Sequence, residues 1–511
     1  MIASIISHVL QGVEAIPIDI EVDAHQGMTA SIEIVGLPDP AIKESINRMR
    51  SALISSGFRL NSNKIVINLA PADLRKEGSA LDLPMALGQL AAEGFFAPEL
   101  LRQYTIVGEL GLDGKTRDVP GAVSIASAAR KSGLTGVVLP AVNANEAAMV
   151  EGIDVIAVES LLQAFKFFAG EETLTPHQVD REAIFRNYQE YEEDFNEVKG
   201  QAHAKRAMEV AAAGGHNILL LGSPGGGKTM LARRFPTILP AMTLDESIET
   251  TKVHSIAGLM EKGKALIATR PFRAPHYTIS QTALVGGGSI PKPGEVSLAH
   301  NGVLFLDEVA ELSRTTLETL RQPMEDGQVT VSRSAMTLTF PARFLFCAAM
   351  NPCPCGYLMD DRHECTCAHN QIQKYRSRLS GPLMDRIDLH IEVPTVQFRD
   401  LQNADGGESS AVIRQRVEAA RAIQTERFRG MRGLHCNAQM QNRHVKKFCA
   451  IDGSAFSLLE NAMDRLGLSA RSYNRILKVA RTIADLESAE SVFSSHVAEA
   501  IQYRTLDRKM T

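Results

Sequence analysis

The residues best placed to do chemistry lie in one run near the middle of the chain. Asn217–Leu221 is apolar after its first residue and leads into Gly222-Ser223-Pro224-Gly225-Gly226-Gly227-Lys228-Thr229, followed by the helix-forming MLARRF. Glycines at these places let backbone N–H groups wrap a phosphate without Cβ clashes, and a helix N-terminus adds positive potential. Lys228 is then placed to reach the β- and γ-phosphates of a nucleotide, and Thr229 to ligate Mg2+. A strand before and a helix after distinguish this run from a glycine-rich turn that only packs a helix on a strand.

Further along, the apolar run Val303–Leu306 ends in Asp307 and Glu308. Open α/β sheets bind ligands beyond the carboxyl ends of their strands, where these carboxylates are expected. Asp307 is expected to hold the Mg2+ shell. Glu308 is expected to orient and deprotonate an attacking water, which suits hydrolysis rather than nucleotide storage. A third apolar run, Arg343–Ala349, leads to Asn351. Its amide can hydrogen-bond the γ-phosphate or the attacking water, or it can turn the chain before Pro352. Spacing alone leaves both readings open.

The chain has seven cysteines, an odd number that does not suggest a disulfide framework. Four of them, Cys353, Cys355, Cys365 and Cys367, form a CxC…CxC pair with His363 and His369 adjacent. Four thiolates can close a tetrahedral shell around a structural Zn2+. The usual zinc spacing is wider, and a set of reduced loop thiols is the competing reading.

These groups need elements to hold them. At roughly 150 residues per domain, 511 residues suggest about three structural units. With 44% apolar and 22% charged residues, a mainly disordered, collagen-like or coiled-coil chain is excluded. No apolar run is long enough for a spanning helix, and no basic residue precedes the first apolar run, so a soluble, cytoplasmic protein is expected. Net charge is −5, yet residues 401–511 carry 17 Lys/Arg against 12 Asp/Glu, a basic excess compatible with nucleic acid or with ordinary helical surfaces.

Residues 1–170 alternate β-like runs (Ile16–Val22, Ser31–Val35, Lys64–Leu69, Tyr104–Leu110, Gly136–Leu139) with helical ones (Ile42–Ser56, Val123–Lys131), which predicts a compact α/β unit. Residues 171–196 read as a linker. Residues 197–395 predict a parallel α/β nucleotide-binding sheet. Residues 396–511 read as helical after a loop at 403–410, with Leu466–Leu486 and Ser495–Tyr503 as the last helices.

Several long segments resemble the AAA+ ATPases, and more narrowly the ComM/YifB family of the magnesium-chelatase-like branch. They are VKGQAHAKRAMEVAAAGGHNILLLGSPGGGKTMLARR, RPFRAPHYTISQTALVGGGSIPKPGEVSLAHNGVLFLDE, LRQPMEDGQVTVSR, SRLSGPLMDRIDLHIEVP and SARSYNRILKVARTIADL. The resemblance implies an AAA+ P-loop core with a C-terminal helical lid, ATP and Mg2+ as cofactors, and a homo-hexameric ring. It makes Asn351 sensor 1, Arg386 an arginine finger for the neighbouring subunit with Arg378 competing, and Arg471 sensor 2, with Arg475 one turn on. The loop 286–295 and the hairpin 328–340, with Arg333 and Ser334 near its tip, would line a pore, with Lys292 and Arg333 touching DNA phosphates without reading sequence. The implied function is ATP-driven branch migration of branched or single-stranded DNA in natural transformation and homologous recombination, alongside recombination proteins. A chelatase-type ATPase that remodels a protein partner for magnesium insertion is the alternative.

The segments RKEGSALDLPMALG and GELGLDGKTRDVPGAVSIASAARKSGLTGVVLPAVNANEA resemble the Lon-protease C-terminal domain, of the ribosomal S5 domain 2-like fold. Lon-type peptidases use a Ser-Lys dyad. The alignment puts Ala80 and Val123 at those two positions, with Ser79 and Ser124 one residue away, so this domain is expected to be peptidase-dead. An ATP-dependent peptidase is therefore the weakest of the implied activities.

Overall fold

The computed structural model describes the chain apart from residues 1, 27–30, 61–63, 75, 77, 262–263, 289–290, 334–336, 361–362, 396–406, 432, 468 and 507–511. It divides into two compact units, Met1–Tyr188 with Leu244–Ala268, and Gln189–Thr243 with Thr269–Thr511. These boundaries differ from the three regions expected of the sequence. The segment Leu244–Ala268 lies in sequence within the nucleotide-binding region but packs with the first unit, and the C-terminal helices belong to the same unit as the nucleotide-binding sheet.

In the first unit, seven strands form one mixed sheet in the order Ser31–Val35, Lys64–Ala70, Glu14–His25, Ile2–Gln11, Tyr104–Ile106, Gly136–Pro140, Asp154–Val158. The expected run Tyr104–Leu110 is interrupted: its strand ends at Ile106, and Glu109–Leu110 pairs separately with Thr116–Arg117. The helix Pro40–Ser55 starts where it does because the Asp39 carboxylate accepts from the Ile42 N–H at 2.7 Å and Pro40 fills the first turn. The wholly buried helix Asp82–Ala92 lies against the sheet through Gly88, where a Cβ would come within 2.5 Å of Ile5 Cδ1 and 2.7 Å of Val22 Cγ2. The helix Leu244–Ile256 joins this unit through Ser255, whose hydroxyl donates to Glu146 and accepts from the Gly121 N–H, both at 2.8 Å. Around it, Ile248, Ala265 and Leu266 pack on Met149.

In the second unit, five parallel strands run in the order Phe272–Arg273, Val303–Leu306, Leu345–Met350, Ile218–Leu221, Leu389–Glu392. The three central strands are continuous apolar runs, buried on both faces, as a parallel sheet covered by helices requires. One face of the core is closed by the helices Ala202–Gly214 and Lys228–Ile238 and by the C-terminal helices. Leu220, Phe235, Met208, Ile476, Ile483 and Val497 share one apolar cluster, so the lid helices are part of the sheet's own core. The expected helix Leu466–Leu486 is a single helix that starts later, at Ala470, and Leu466 is instead the last residue of the helix before it. Gly453–Leu466 ends on Gly467 in the left-handed region (φ +64°), and Ser469 caps the next, Ala470–Leu486.

Candidate nucleotide site

Three side-chain-bearing turns converge at the carboxyl edge of the five-stranded sheet because their strands are in register. Leu221 pairs with Met350, and Leu306 with Ala348, so Gly222, Asn351 and Asp307 all leave the sheet on the same side. The loop Gly222–Gly227 enters the helix Lys228–Ile238 through Gly225 and Gly227, both in the left-handed region (φ +78° and +83°). Lys228 is buried, and its ammonium donates to the carbonyls of Gly222 (2.7 Å) and Ser223 (3.1 Å) and to Asn351 Oδ1 (3.1 Å). Burial pulls the Lys228 pKa below its ordinary value, while Asp307 and Glu308 oppose that shift.

The Thr229 hydroxyl donates to Asp307 Oδ2 at 2.6 Å, and Asp307 Oδ1 accepts the Glu308 N–H at 2.9 Å. Two hard oxygen donors thus meet where Mg2+ can take both, the donor chemistry this ion prefers. Glu308 is exposed and sits at φ +48°, in the left-handed region. A non-glycine residue held there stores roughly 1–3 kcal/mol, a strain that recurs where a side chain must be aimed. The aim is outward, past the end of the strand, where a water can be met.

Asn351 is backed by the helix His369–Arg376. Arg376 Nε donates to the Pro352 carbonyl at 3.1 Å. Tyr375 lies close enough to be pushed up to about 12, first by burial and then by Glu311. Directly beyond Asn351, the sulfur atoms of Cys353, Cys355, Cys365 and Cys367 all lie within 4.8 Å of one another.

The candidate arginines separate into two groups. Arg378 is on the nucleotide side, donating to the Ala310 carbonyl (2.8 Å) and Glu311 (2.7 Å), just past Glu308. Arg386 is at the opposite, amino edge. Its carbonyl accepts from Asn217 Nδ2 at 2.8 Å, ahead of the strand Ile218–Leu221, and its guanidinium pairs with Glu325. Arg471 joins that edge through Asp385 (2.9 Å), and Arg475 through Asp388 (2.8 Å). The lid therefore docks its sensor-position arginines beside Arg386, a full strand length away from the phosphate loop of the same chain.

Lys292 and Arg333 are exposed on neighbouring loops. Lys292–Pro293 pairs with Gly286–Gly287, and a Cβ at Gly287 would stand 3.0 Å from Arg333 Nη2. Ser334 lies outside the described residues, as do residues 289–290 of the first loop. In the first unit, the Ser79 hydroxyl donates to Glu109 and the Ser124 hydroxyl donates to the Val13 carbonyl at 2.8 Å. Both serine hydroxyls are thus spent on other partners.

Sequence reasoning passed over Gln201 and His216. Gln201 is left-handed (φ +56°) and its amide N–H groups bridge the Pro394 carbonyl (2.6 Å) and the Gly226 carbonyl (3.2 Å) of the phosphate loop. Its own buried carbonyl oxygen has no partner among the described residues. His216 bonds Asp388 (3.2 Å) and Thr482 (2.8 Å), tying sheet to lid. Neither residue stands in a spacing pattern that marks a site.

Comparison with known proteins bears on this architecture. Three family models match in order: "Subunit ChlI of Mg-chelatase" over residues 20–143, "Magnesium chelatase, subunit ChlI" over 194–401, and "Magnesium chelatase, subunit ChlI C-terminal" over 407–504. YifB of Escherichia coli is 43% identical over 499 residues, covering 97% of this chain and 96% of that protein. The competence protein ComM of Haemophilus influenzae is 43% identical over 509 residues, 99% of this chain and 98% of that protein. The chain belongs to the ComM/YifB family of magnesium-chelatase-like AAA+ ATPases. That membership implies ATP and Mg2+ as cofactors. The 38 kDa magnesium-chelatase subunit of Cereibacter sphaeroides is a more distant relative, 24% identical over 174 residues, 31% of this chain and 52% of that protein. Among the described residues, no helix is long and apolar enough to cross a membrane.

Proposed function

We propose that this chain is a hexameric ATPase motor that migrates branched or single-stranded DNA without reading its sequence, in natural transformation and homologous recombination. The observation that carries this reading is the placement of Arg386 and Arg471 at the sheet edge opposite the phosphate loop. On this reading both act on a neighbour's nucleotide, and a repeating head-to-tail contact of that kind makes a ring where its rotation closes. The 43% identity to a competence protein over almost the whole chain supports the DNA side of the reading.

In such a ring the backbone N–H groups of Gly225–Thr229 and the Lys228 ammonium would hold the phosphates of ATP, and Thr229 and Asp307 would hold Mg2+, which would supply charge neutralisation. Glu308 takes a proton from the attacking water, and Asn351 orients that water or the γ-phosphate. Arg386 of the adjoining subunit meets the charge that develops in the transition state. Lys292 and Arg333, on adjoining loops, contact the DNA backbone, so the motion of one subunit against the next moves the strand.

The test uses a labelled three-stranded junction and a plain duplex. ATP-dependent resolution of the junction by the natural protein, absent in Glu308→Gln, supports the motor. ATP turnover with no junction movement favours the second reading, a chelatase-type ATPase that remodels a protein, which the three ChlI-type family matches support.

A further inference from the structure

The cysteine cluster stands apart from the catalytic groups, and its geometry is that of a metal site. Sγ of Cys353 is 3.3 Å from Cys355 and 3.6 Å from Cys365, and Cys355 is 3.5 Å from Cys365. A tetrahedral ion with metal–sulfur bonds of about 2.3 Å sets its ligands about 3.8 Å apart, close to these separations. A disulfide needs one pair at about 2.05 Å. Here each of the three sulfurs has two near neighbours at similar range, so no pairing is favoured. A cluster of several irons spreads its thiolates further than a single ion does. The donors are all sulfur: His363 faces away, bonded to Asp360 at 3.2 Å and packed on the Tyr357 ring. Such a soft, closed S4 set selects zinc and offers no open position for catalysis.

We propose that Cys353, Cys355, Cys365 and Cys367 bind one Zn2+, and that this ion clamps the segment after Asn351 against the phosphate loop. The loop from 352 to 368 forms no helix or strand among its described residues, and a segment of this length needs a staple to hold one shape. The tight CxC spacing is served by Gly356, left-handed at φ +87°, whose N–H donates to the Cys353 carbonyl at 3.0 Å. The Cys355 N–H donates to Cys367 Sγ at 3.3 Å, a bond that steadies a thiolate. Two contacts carry the clamp to the nucleotide site. A Cβ on Gly356 would fall 2.6 and 2.8 Å from the Pro224 side chain of the phosphate loop. Cys353 also follows Asn351 by two residues, so its ligation fixes the backbone that aims the Asn351 amide at Lys228. The inference requires ATP binding at this site but not DNA as the substrate.

The experiment takes the full-length protein from zinc-supplemented cells, purified without a metal-affinity step, and measures zinc and iron by elemental analysis. Thiol titration before and after chelation, and ATP affinity and turnover with and without restored Zn2+, complete it. The expected result is one zinc per chain, the four thiols shielded until chelation, and a loss of turnover of about tenfold or more that added Zn2+ reverses. Cys353→Ser/Cys365→Ser should lose the metal, and His363→Ala should keep it. Metal-free protein with all four thiols open, iron in place of zinc, or zinc retained in the double cysteine variant overturns the site. Turnover and ATP affinity unchanged by zinc removal overturn the clamp, and the metal content, thiol titration and chelation results on the natural protein do not depend on a variant folding. Loss of ATP binding in the zinc-loaded protein would instead count against the nucleotide site itself.

Discussion

If Arg386 acts on a neighbour's nucleotide, two inactive variants should repair each other. Lys228→Ala removes the phosphate contact and leaves Arg386 intact, while Arg386→Ala does the reverse. The strand Ile218–Leu221 spans four residues, about 13 Å at 3.3 Å per residue, and separates the loop from the edge that carries Arg386. A hydrogen bond needs roughly 3 Å. The Arg386 guanidinium is moreover held by Glu325 and the Pro382 carbonyl, so one chain does not present both groups to its own nucleotide. An arginine supplied in trans contributes roughly a thousand- to a hundred-thousand-fold to turnover, about 4–7 kcal/mol, so each variant alone should be near inactive. In a one-to-one mixture assembled at random, an interface works when an intact phosphate loop (one half) meets an intact Arg386 (one half), returning about one quarter of natural turnover. The ion pair to Glu325 has to open for this, and although the Glu325 side chain is 59% exposed, the Arg386 side chain is only 14% exposed, so the neighbour's phosphate must replace the carboxylate as the partner of a largely buried guanidinium. The assay is steady-state phosphate release across mixing ratios after co-refolding or co-expression. A mixture no faster than the sum of its separate components refutes the argument, as does substantial turnover by Arg386→Ala alone.

Other expectations follow from the same geometry. Asp388 is buried with Arg475 and His216; burial alone raises its pKa, but Arg475, His216 and Lys478 outweigh it and hold the carboxyl well below its usual range. Asp388→Asn leaves Arg475 without its counter-charge and should cost about 3–5 kcal/mol in denaturant unfolding of the second unit. Gln201→Ala should raise the KM for ATP several-fold with little change in kcat, since its unpartnered oxygen borders the phosphate loop without reaching the reacting end. In the first unit, burial lowers His8 to about 4, below its unfolded value of 6.5. The folded state then binds fewer protons between those values. Stability should fall by roughly 3 kcal/mol as pH drops from 6.5 to 4, and His8→Gln should flatten that slope in pH-dependent unfolding of this unit.

The phosphate loop and the Asp-Glu strand were legible because each couples a local pattern to an obligatory neighbour: glycines before a helix, and carboxylates after four apolar residues. Gln201 was not legible, because a single left-handed residue leaves no periodicity. The strand Ile2–Gln11 was hidden by its apolar evenness, which suits a central strand as well as a helix. The start of the helix Ala470–Leu486 had its signals in plain view, a glycine stop at Gly467 and a serine cap at Ser469, but the apolar Leu466 just ahead of them drew the expected start back by four residues. Leu244–Ala268 lies within the nucleotide-binding region of the sequence, and only its partners Glu146 and Met149, about a hundred residues earlier, show where it packs. The position of Arg471 along the sequence likewise does not say which edge of the sheet the lid adopts; Asp385 and Asp388 decide it.

The lid's docking holds the turn that carries Arg386 in one place. Residues 385–388 are held one after another: Asp385 by Arg471, the Arg386 carbonyl by Asn217, the Ile387 carbonyl by Arg504 at 2.6 Å, and Asp388 by Arg475 and His216. Asn217 is the residue before the phosphate-loop strand, and its Oδ1 also accepts the Phe346 N–H of the strand that leads to Asn351, at 2.9 Å. One amide thus ties the strand entering the phosphate loop, the strand entering Asn351 and the turn that carries Arg386. Thr482, bonded to His216, passes the same fixation to Asn437 and Asp485 inside the lid. In the proposed motor a shift at the nucleotide edge would be carried along these short strands to the opposite edge. Because the lid's arginines are bonded to that same turn, Arg386 and the lid are tied together, and in the proposed ring this coupling would let one subunit's nucleotide state be felt at the next subunit's site.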